Sequence, residues 1–180
     1  MKVRKENALI IAIDFQEAIM PAMAGRENLE RKAEILLKGA NVLNVPIVVS
    51  QQYTKGLGNT IPSLAEAIGE FDYIDKTSFS CLGNQRFKEL LLQKQARDVI
   101  VTGIEAHVCV LQTVLDLIEM EYRVFLAADC VSSRSDEDKA YALRRMEQAG
   151  AVITTVESIL FELVGDATHP DRKAISALVK

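Results

Sequence analysis

Tryptophan is missing from this 180-residue chain and histidine occurs only twice. No apolar run reaches the ~20 residues needed to span a bilayer, so no membrane partner is expected. The opening MKVRKENALIIAID carries basic residues and an apolar run, but Asp14 interrupts it and no small-residue cleavage site follows. A secretory leader is therefore not expected. Neither sign of charge dominates, with 21 basic against 25 acidic residues and a net charge of −4. The balance gives no electrostatic reason to expect nucleic acid as a partner. The three cysteines, Cys81, Cys109 and Cys130, are odd in number and far apart. That pattern argues against a disulfide framework and for a reducing, cytoplasmic compartment. No CxxC or HxxxH spacing suggests a metal site, and no cofactor motif is evident. What is present, 49% hydrophobic and 26% charged residues, is the composition of an ordinary globular protein. The length fits a single domain over residues 1–180.

Ala8–Ile13 (ALIIAI) is apolar without alternation, as expected of a strand covered on both faces. Further strands are expected at Pro46–Ser50, Asp72–Asp75, Asp98–Thr102, Arg123–Ala128 and Ala151–Val156. Helical spacing marks Asn28–Val42, Ser63–Ile68, Asn84–Gln93 and Ala106–Glu121. A helix capped by Ser135 should run to Ala149 and stop at Gly150. Short helices near Glu157–Val164 and Pro170–Val179 close the chain. Tyr53–Pro62 reads as a loop, since its KGLG lacks both phosphate-binding glycine patterns. Six strands alternating with helices predict an α/β fold: a three-layer αβα sandwich around a six-stranded, mainly parallel sheet.

In such sheets the site lies at the carboxyl ends of the strands. The polar residues there are Asp14, Gln51 and Gln52, Lys76, the stretch Glu105 to Cys109, and Asp129. Cys109 falls in the first turn after the fourth strand, where free N–H groups and the helix dipole favour a reactive thiolate of lowered pKa. The plainer alternative is a small buried apolar residue. His107 is two residues away, a spacing that does not face Cys109 on a helix, and His169 has no strand beneath it. Asp14 is then the candidate proton acceptor and Lys76 the candidate cation, against the plainer readings of a solvated carboxylate and a surface lysine. Asp129 is expected to anchor the loop that follows it through N–H groups of Val131–Ser133.

With IAIDFQ around Asp14, IDKTSFS around Lys76 and GIEAHVCV around Cys109, the chain resembles the isochorismatase-like cysteine hydrolase superfamily. QQYTKGLGNTIPSL and ADCVSSRSDEDK are similar to its isochorismatase domain-containing branch. The resemblance implies a catalytic triad of Asp14, Lys76 and Cys109. It implies a cis peptide at Ile104–Glu105 and an oxyanion hole made by the N–H groups of Glu105 and Cys109. It also implies a small-molecule substrate, a pocket including Gln52, Tyr53, Ile104 and His107, and a homo-oligomer. Nicotinamidases of the superfamily hold a metal through an Asp-x-His pair, where this chain has Gln51, Gln52 and Tyr53, so no metal is expected. Isochorismatases proper commonly lack the cysteine, and Cys109 argues against their vinyl ether chemistry. The implied activity is hydrolysis of a small amide or related acyl or ureido C–N bond through a thioester. The alternatives are a silent binding or scaffold module, isochorismatase-type vinyl ether hydrolysis despite the cysteine, and a redox thiol pairing Cys109 with Cys81.

Overall fold

The computed structural model describes residues 1–180. Its sheet has six strands: β1 (Ala8–Ile13), β2 (Ile47–Gln52), β3 (Tyr73–Lys76), β4 (Asp98–Ile104), β5 (Arg123–Ser132) and β6 (Val152–Thr154). They lie in the order β3-β2-β1-β4-β5-β6, and every neighbouring pair is parallel. This is the doubly wound order, in which the crossovers reverse direction between β1 and β4. The predicted sandwich is the observed fold.

The uninterrupted apolarity of β1 has a direct cause. Ile10 and Ala12 point into a cluster with residues of α1 (Arg26–Leu43), α3 (Pro62–Ile68), α7 (Val156–Val164) and α8 (Arg172–Leu178). Leu9, Ile11 and Ile13 point into a second cluster with residues of α4 (Gln85–Gln93), α5 (Leu111–Glu119) and α6 (Asp136–Ala149). With helices on both faces, neither side of the pleat meets water. A one-turn helix, α2 (Thr54–Leu57), occupies part of the expected loop.

The strands β2, β4 and β5 run two to four residues further than hydropathy suggests, because a polar residue or glycine, Gln51, Gly103 and Asp129, interrupts the apolar run before the strand ends. Gly103, at φ 138°, is one of these. A Cβ there would lie 2.3 Å from the Ile13 carbonyl oxygen, so only glycine lets β4 pass β1 so closely at this point. β3 is shifted one residue from expectation and ends on Lys76 itself. β6 is shorter, because Thr155 leaves the sheet to cap α7, its hydroxyl accepting from Ser158 N–H. The Ser135 cap and the Gly150 stop of α6 are as expected. The expected Ala106–Glu121 helix is divided. Ala106–Val110 is a π-helical turn, and α-helical spacing begins only at Leu111. Asp129 is not a loop anchor for Val131–Ser133. It falls inside β5, where its carboxylate accepts from Val156 N–H at 2.9 Å and faces Lys32 at 3.7 Å. No helix is long and apolar enough to cross a membrane.

Candidate active site

Asp14 is the first residue after β1 and takes left-handed backbone angles, φ 54°. Aspartate is among the few non-glycine residues that tolerate this region. Its N–H donates to Ser50 O, which keeps it against the end of β2. Its side chain is buried, and both carboxylate oxygens are engaged. Oδ1 accepts from the Ser50 hydroxyl at 2.8 Å, and Oδ2 accepts from Lys76 Nζ at 2.7 Å.

Lys76 reaches this carboxylate from two strands away, across the end of β2. Its ammonium is fully buried and also donates to Gln52 Oε1 at 2.7 Å, Phe79 O at 3.0 Å and Ser78 O at 3.2 Å. Burial is the largest single influence on Lys76 and opposes its charge. The Asp14 carboxylate, followed by the two neighbouring thiols when ionised, outweighs it and holds the amine above its ordinary value. Lys76 is therefore a fixed cation at any physiological pH.

Cys109 lies in the π turn and is 7% exposed. The Glu105 carbonyl accepts from Val108 and Val110 N–H but not from the Cys109 N–H between them. The expectation of a resting thiolate is overturned. The thiol is pushed up to about 12, first by burial and then by the Asp14 charge. Lys76 acts in the opposite direction, and the neighbouring Cys81 pushes it up further. Desolvation and a carboxylate acceptor together outweigh the cation and the helix end. Burial and the nearby carboxylate thus both favour the neutral thiol beside the Asp14–Lys76 pair.

A second thiol, which the sequence suggests only as a redox alternative, joins the cluster. Cys81 is fully buried, and its Sγ donates to the Ser50 hydroxyl at 3.5 Å. It is pushed up to about 11, burial first and Asp14 second. All three cysteines are free. Ser50 and Thr113 are further members of the cluster that sequence reasoning missed. Ser50 carries one legible sign, a hydroxyl directly after the apolar residues of its strand.

The remaining expected site residues separate. The Ile104–Glu105 peptide is cis. Glu105 is half-buried, and its Oε2 accepts from Arg134 Nε at 3.0 Å. His107 Nδ1 lies 2.9 Å from the Ser133 hydroxyl. Gln52 spends its amide on Lys76 and on Thr77 O, and Gln51 spends its own on Thr60 and Thr54. Tyr53 is 51% exposed beside Gly56, where a Cβ would strike its ring. Ile104 is fully buried in the cluster on the α1 side, since β4 continues through it. A surface cavity of about 540 Å³, lined by Arg4, Arg97, Tyr122 and Arg123 among others, opens at the amino ends of the strands, away from this chemistry.

Comparison with known proteins locates this geometry. The isochorismatase domain family matches residues 8–158. Isochorismatase domain-containing protein 1 of Salmo salar is 40% identical over 174 residues, covering 97% of this chain and 61% of the relative. The chain thus spans less than two thirds of that relative's length. Isochorismatase domain-containing protein 2 of Bos taurus is 39% identical, covering 99% of this chain and 86% of the relative. A solved structure named MAR1 ribonuclease, from Caenorhabditis elegans, is 38% identical with a TM-score of 0.93, covering 99% of this chain and 92% of that one. That name overturns the expectation that nucleic acid is no partner of this fold. The expectation rested on net charge, which governs long-range attraction to phosphates. Net charge says little about a local site that takes one nucleotide at a time.

Proposed function

The chain belongs to the isochorismatase family, and from that premise we propose that it is a cysteine hydrolase cleaving a C–N bond in a small amide or ureido compound. The observation that carries the reading is the buried contact of Lys76 Nζ with Asp14 at 2.7 Å, with both groups acting on the Cys109 thiol. Three residues distant in sequence supply a base, a fixed cation and a nucleophile.

A neutral resting thiol sets the order of events. Cys109 attacks the carbonyl carbon as its proton passes to Asp14, so the S–C bond forms without a free thiolate in advance. The N–H groups of Glu105 and Cys109 hold the oxyanion. Asp14 then gives the proton to the leaving nitrogen as the C–N bond breaks, leaving a thioester and an ionised carboxylate. Water attacks the thioester, its proton going to Asp14, and the departing sulfur takes that proton back. Lys76 keeps its proton throughout and restrains the Asp14 charge. Tyr53 and His107 are the side chains offered to substrate, and Gln52 acts through its bond to Lys76. The unit acts as one domain over residues 1–180, and three free thiols fit a reducing cytoplasm.

A second reading is favoured by the name of the worm structure: the substrate is RNA, with Asp14 as base toward a ribose hydroxyl. One experiment separates the two. The protein is incubated with a panel of amides, ureides and activated esters, and separately with single-stranded RNA. Acyl release that traps a thioester on Cys109 and disappears in Cys109→Ala supports the hydrolase. RNA cleavage that survives Cys109→Ala but not Asp14→Asn, with no acyl release, replaces it with the second reading.

A further inference from the structure

Between Lys76 and Cys81 the chain makes no regular element, yet this loop bonds to Lys76, Gln52 and Ser50 of the proposed site. The Ser78 and Phe79 carbonyls receive the Lys76 ammonium. The Cys81 thiol reaches Asp14 through Ser50, in steps of 3.5 and 2.8 Å. Carbonyls on an irregular loop stay aimed at one ammonium only when the loop is anchored elsewhere.

The anchor is on the nucleophile's own helix. Thr113, fully buried, donates its hydroxyl proton to the Cys109 carbonyl at 2.7 Å. The same oxygen accepts from Cys81 N–H at 3.0 Å. A threonine bonding back four residues is common within helices. Here the hydroxyl also takes a donor from another segment, and so joins the peptide of the nucleophile to the end of the Lys76 loop. Three residues on, along the same helix face, Asp116 Oδ2 accepts from the Ser80 hydroxyl at 2.6 Å. Ser80 in turn receives Leu82 N–H at 3.1 Å, which shapes the turn after the loop.

We propose that Thr113 and Asp116 are positioning residues, which lock the 77–81 loop, and through it Lys76 and Asp14, onto the turn that carries Cys109. The proposal rests on the hydrolase reading for its purpose, but its geometry does not depend on turnover. Thr113 acts at the inner end of the clamp, on backbone groups. Asp116 acts at the outer end, on a serine.

The test uses Thr113→Val, which keeps the shape and removes the hydroxyl, against Thr113→Ser, which keeps the hydroxyl and removes the methyl. The readout is the pH dependence of iodoacetamide labelling at Cys109, followed by mass spectrometry with buried Cys130 as internal reference. Thermal melting of the same samples reports folding. Thr113→Val is expected to move the Cys109 profile toward lower pH by about one unit, on the order of tenfold faster labelling at pH 8, because a loosened loop readmits water to the thiol. Thr113→Ser is expected to superimpose on the unaltered protein even though its melting point falls. A role in packing alone predicts the reverse ranking. Either superposition of Thr113→Val on the unaltered protein or a Thr113→Ser profile that follows Thr113→Val overturns the proposal. If Thr113→Val does not fold, Ser80→Ala, Asp116→Ala and their double variant carry the test. The three should shift the Cys109 profile equally and by less than one unit, whereas additive shifts, or none, overturn it. Failure here leaves the hydrolase reading standing. Absence of acyl release from the unaltered protein leaves the clamp standing.

Discussion

Two aspartates are buried at opposite ends of the adjoining strands β1 and β4, and they do different work. Asp98 opens β4, at the amino end of the sheet. Its Oδ1 accepts from Arg123 Nε at 2.6 Å and its Oδ2 accepts from Arg4 N–H at 2.7 Å. Arg123 is about a third exposed, at 32%. Asp14 follows β1, at the carboxyl end. It too has a cation and a second donor, but its cation is fully buried and two thiols adjoin the pair. A buried, satisfied ion pair is therefore no mark of a functional site by itself. The distinction lies in the neighbours. Asp98 faces an arginine and a backbone N–H, which keep their protons, whereas Asp14 adjoins thiols that can give one up.

Replacing each aspartate by asparagine should break this symmetry, with the largest effect at Asp14. In Asp14→Asn the neutral amide cannot accept the thiol proton, and acyl release should fall by about 10²–10⁴. The thiol should move the other way. The Asp14 charge holds Cys109 up, while Lys76 pulls it down. Removing that charge should bring the thiol's pKa below about 12 and make alkylation faster while hydrolysis is lost. Opposite signs in one variant, read from labelling rates beside turnover, would establish Asp14 as a proton carrier rather than a scaffold. Asp14→Asn should also lower stability by about 3–5 kcal/mol, because Lys76 is left charged and unpaired in the core. Asp98→Asn should cost only about 1–2 kcal/mol by urea unfolding, since Arg123 can turn toward water and an amide oxygen still serves the Arg4 N–H. Its Cys109 labelling profile should be that of the unaltered protein.

Alkaline pH sharpens the contrast from the other side. Folding raises Cys81 to about 11 and Cys109 to about 12. In the unfolded chain both release protons near pH 8.5–9. Above that range the native state holds protons that the unfolded state has lost. Their contribution is therefore complete below about pH 8.5 and falls as pH rises through 11 and 12. Between pH 8 and 10.5 the urea midpoint should decline, with roughly 2 kcal/mol attributable to each thiol. Cys81→Ala should remove one share of that decline, whereas Asp98→Asn should leave its slope unchanged.

How far this contrast is legible in the chain follows from what hydropathy and spacing encode. Continuous apolarity in ALIIAI marks a strand covered on both faces, because burial of a parallel strand is written into its own residues. Asp14, Lys76 and Cys109 are legible as polar residues at or just after strand ends, with family motifs around each. The protonation state of Cys109 is not. It depends on burial and on side chains from three separate elements, whose convergence is a property of strand order rather than of local sequence. The π turn is hidden for a related reason: one widened hydrogen bond leaves the apolar spacing of VCVLQTVL almost unchanged. Thr113 gives no sign at all, since a lone threonine in an amphipathic helix looks like any core-facing residue.

The smallest effect is expected where an ion pair of similar length lies at the rim. Arg134 Nε donates to Glu105 Oε2 at 3.0 Å, close to the 2.7 Å of Lys76 and Asp14, but Arg134 is 65% exposed. Water and salt compete for its guanidinium, and holding a long side chain in place offsets much of the Coulomb gain. Arg134→Ala should therefore change stability by less than about 0.5 kcal/mol, and about 0.5 M salt should remove even that difference. The Asp14–Lys76 pair, without solvent contact, should keep its influence on the Cys109 profile in the same salt. If Arg134→Ala instead costs as much as Asp98→Asn, distance rather than burial governs these pairs, and the contrast between the two buried aspartates loses its basis.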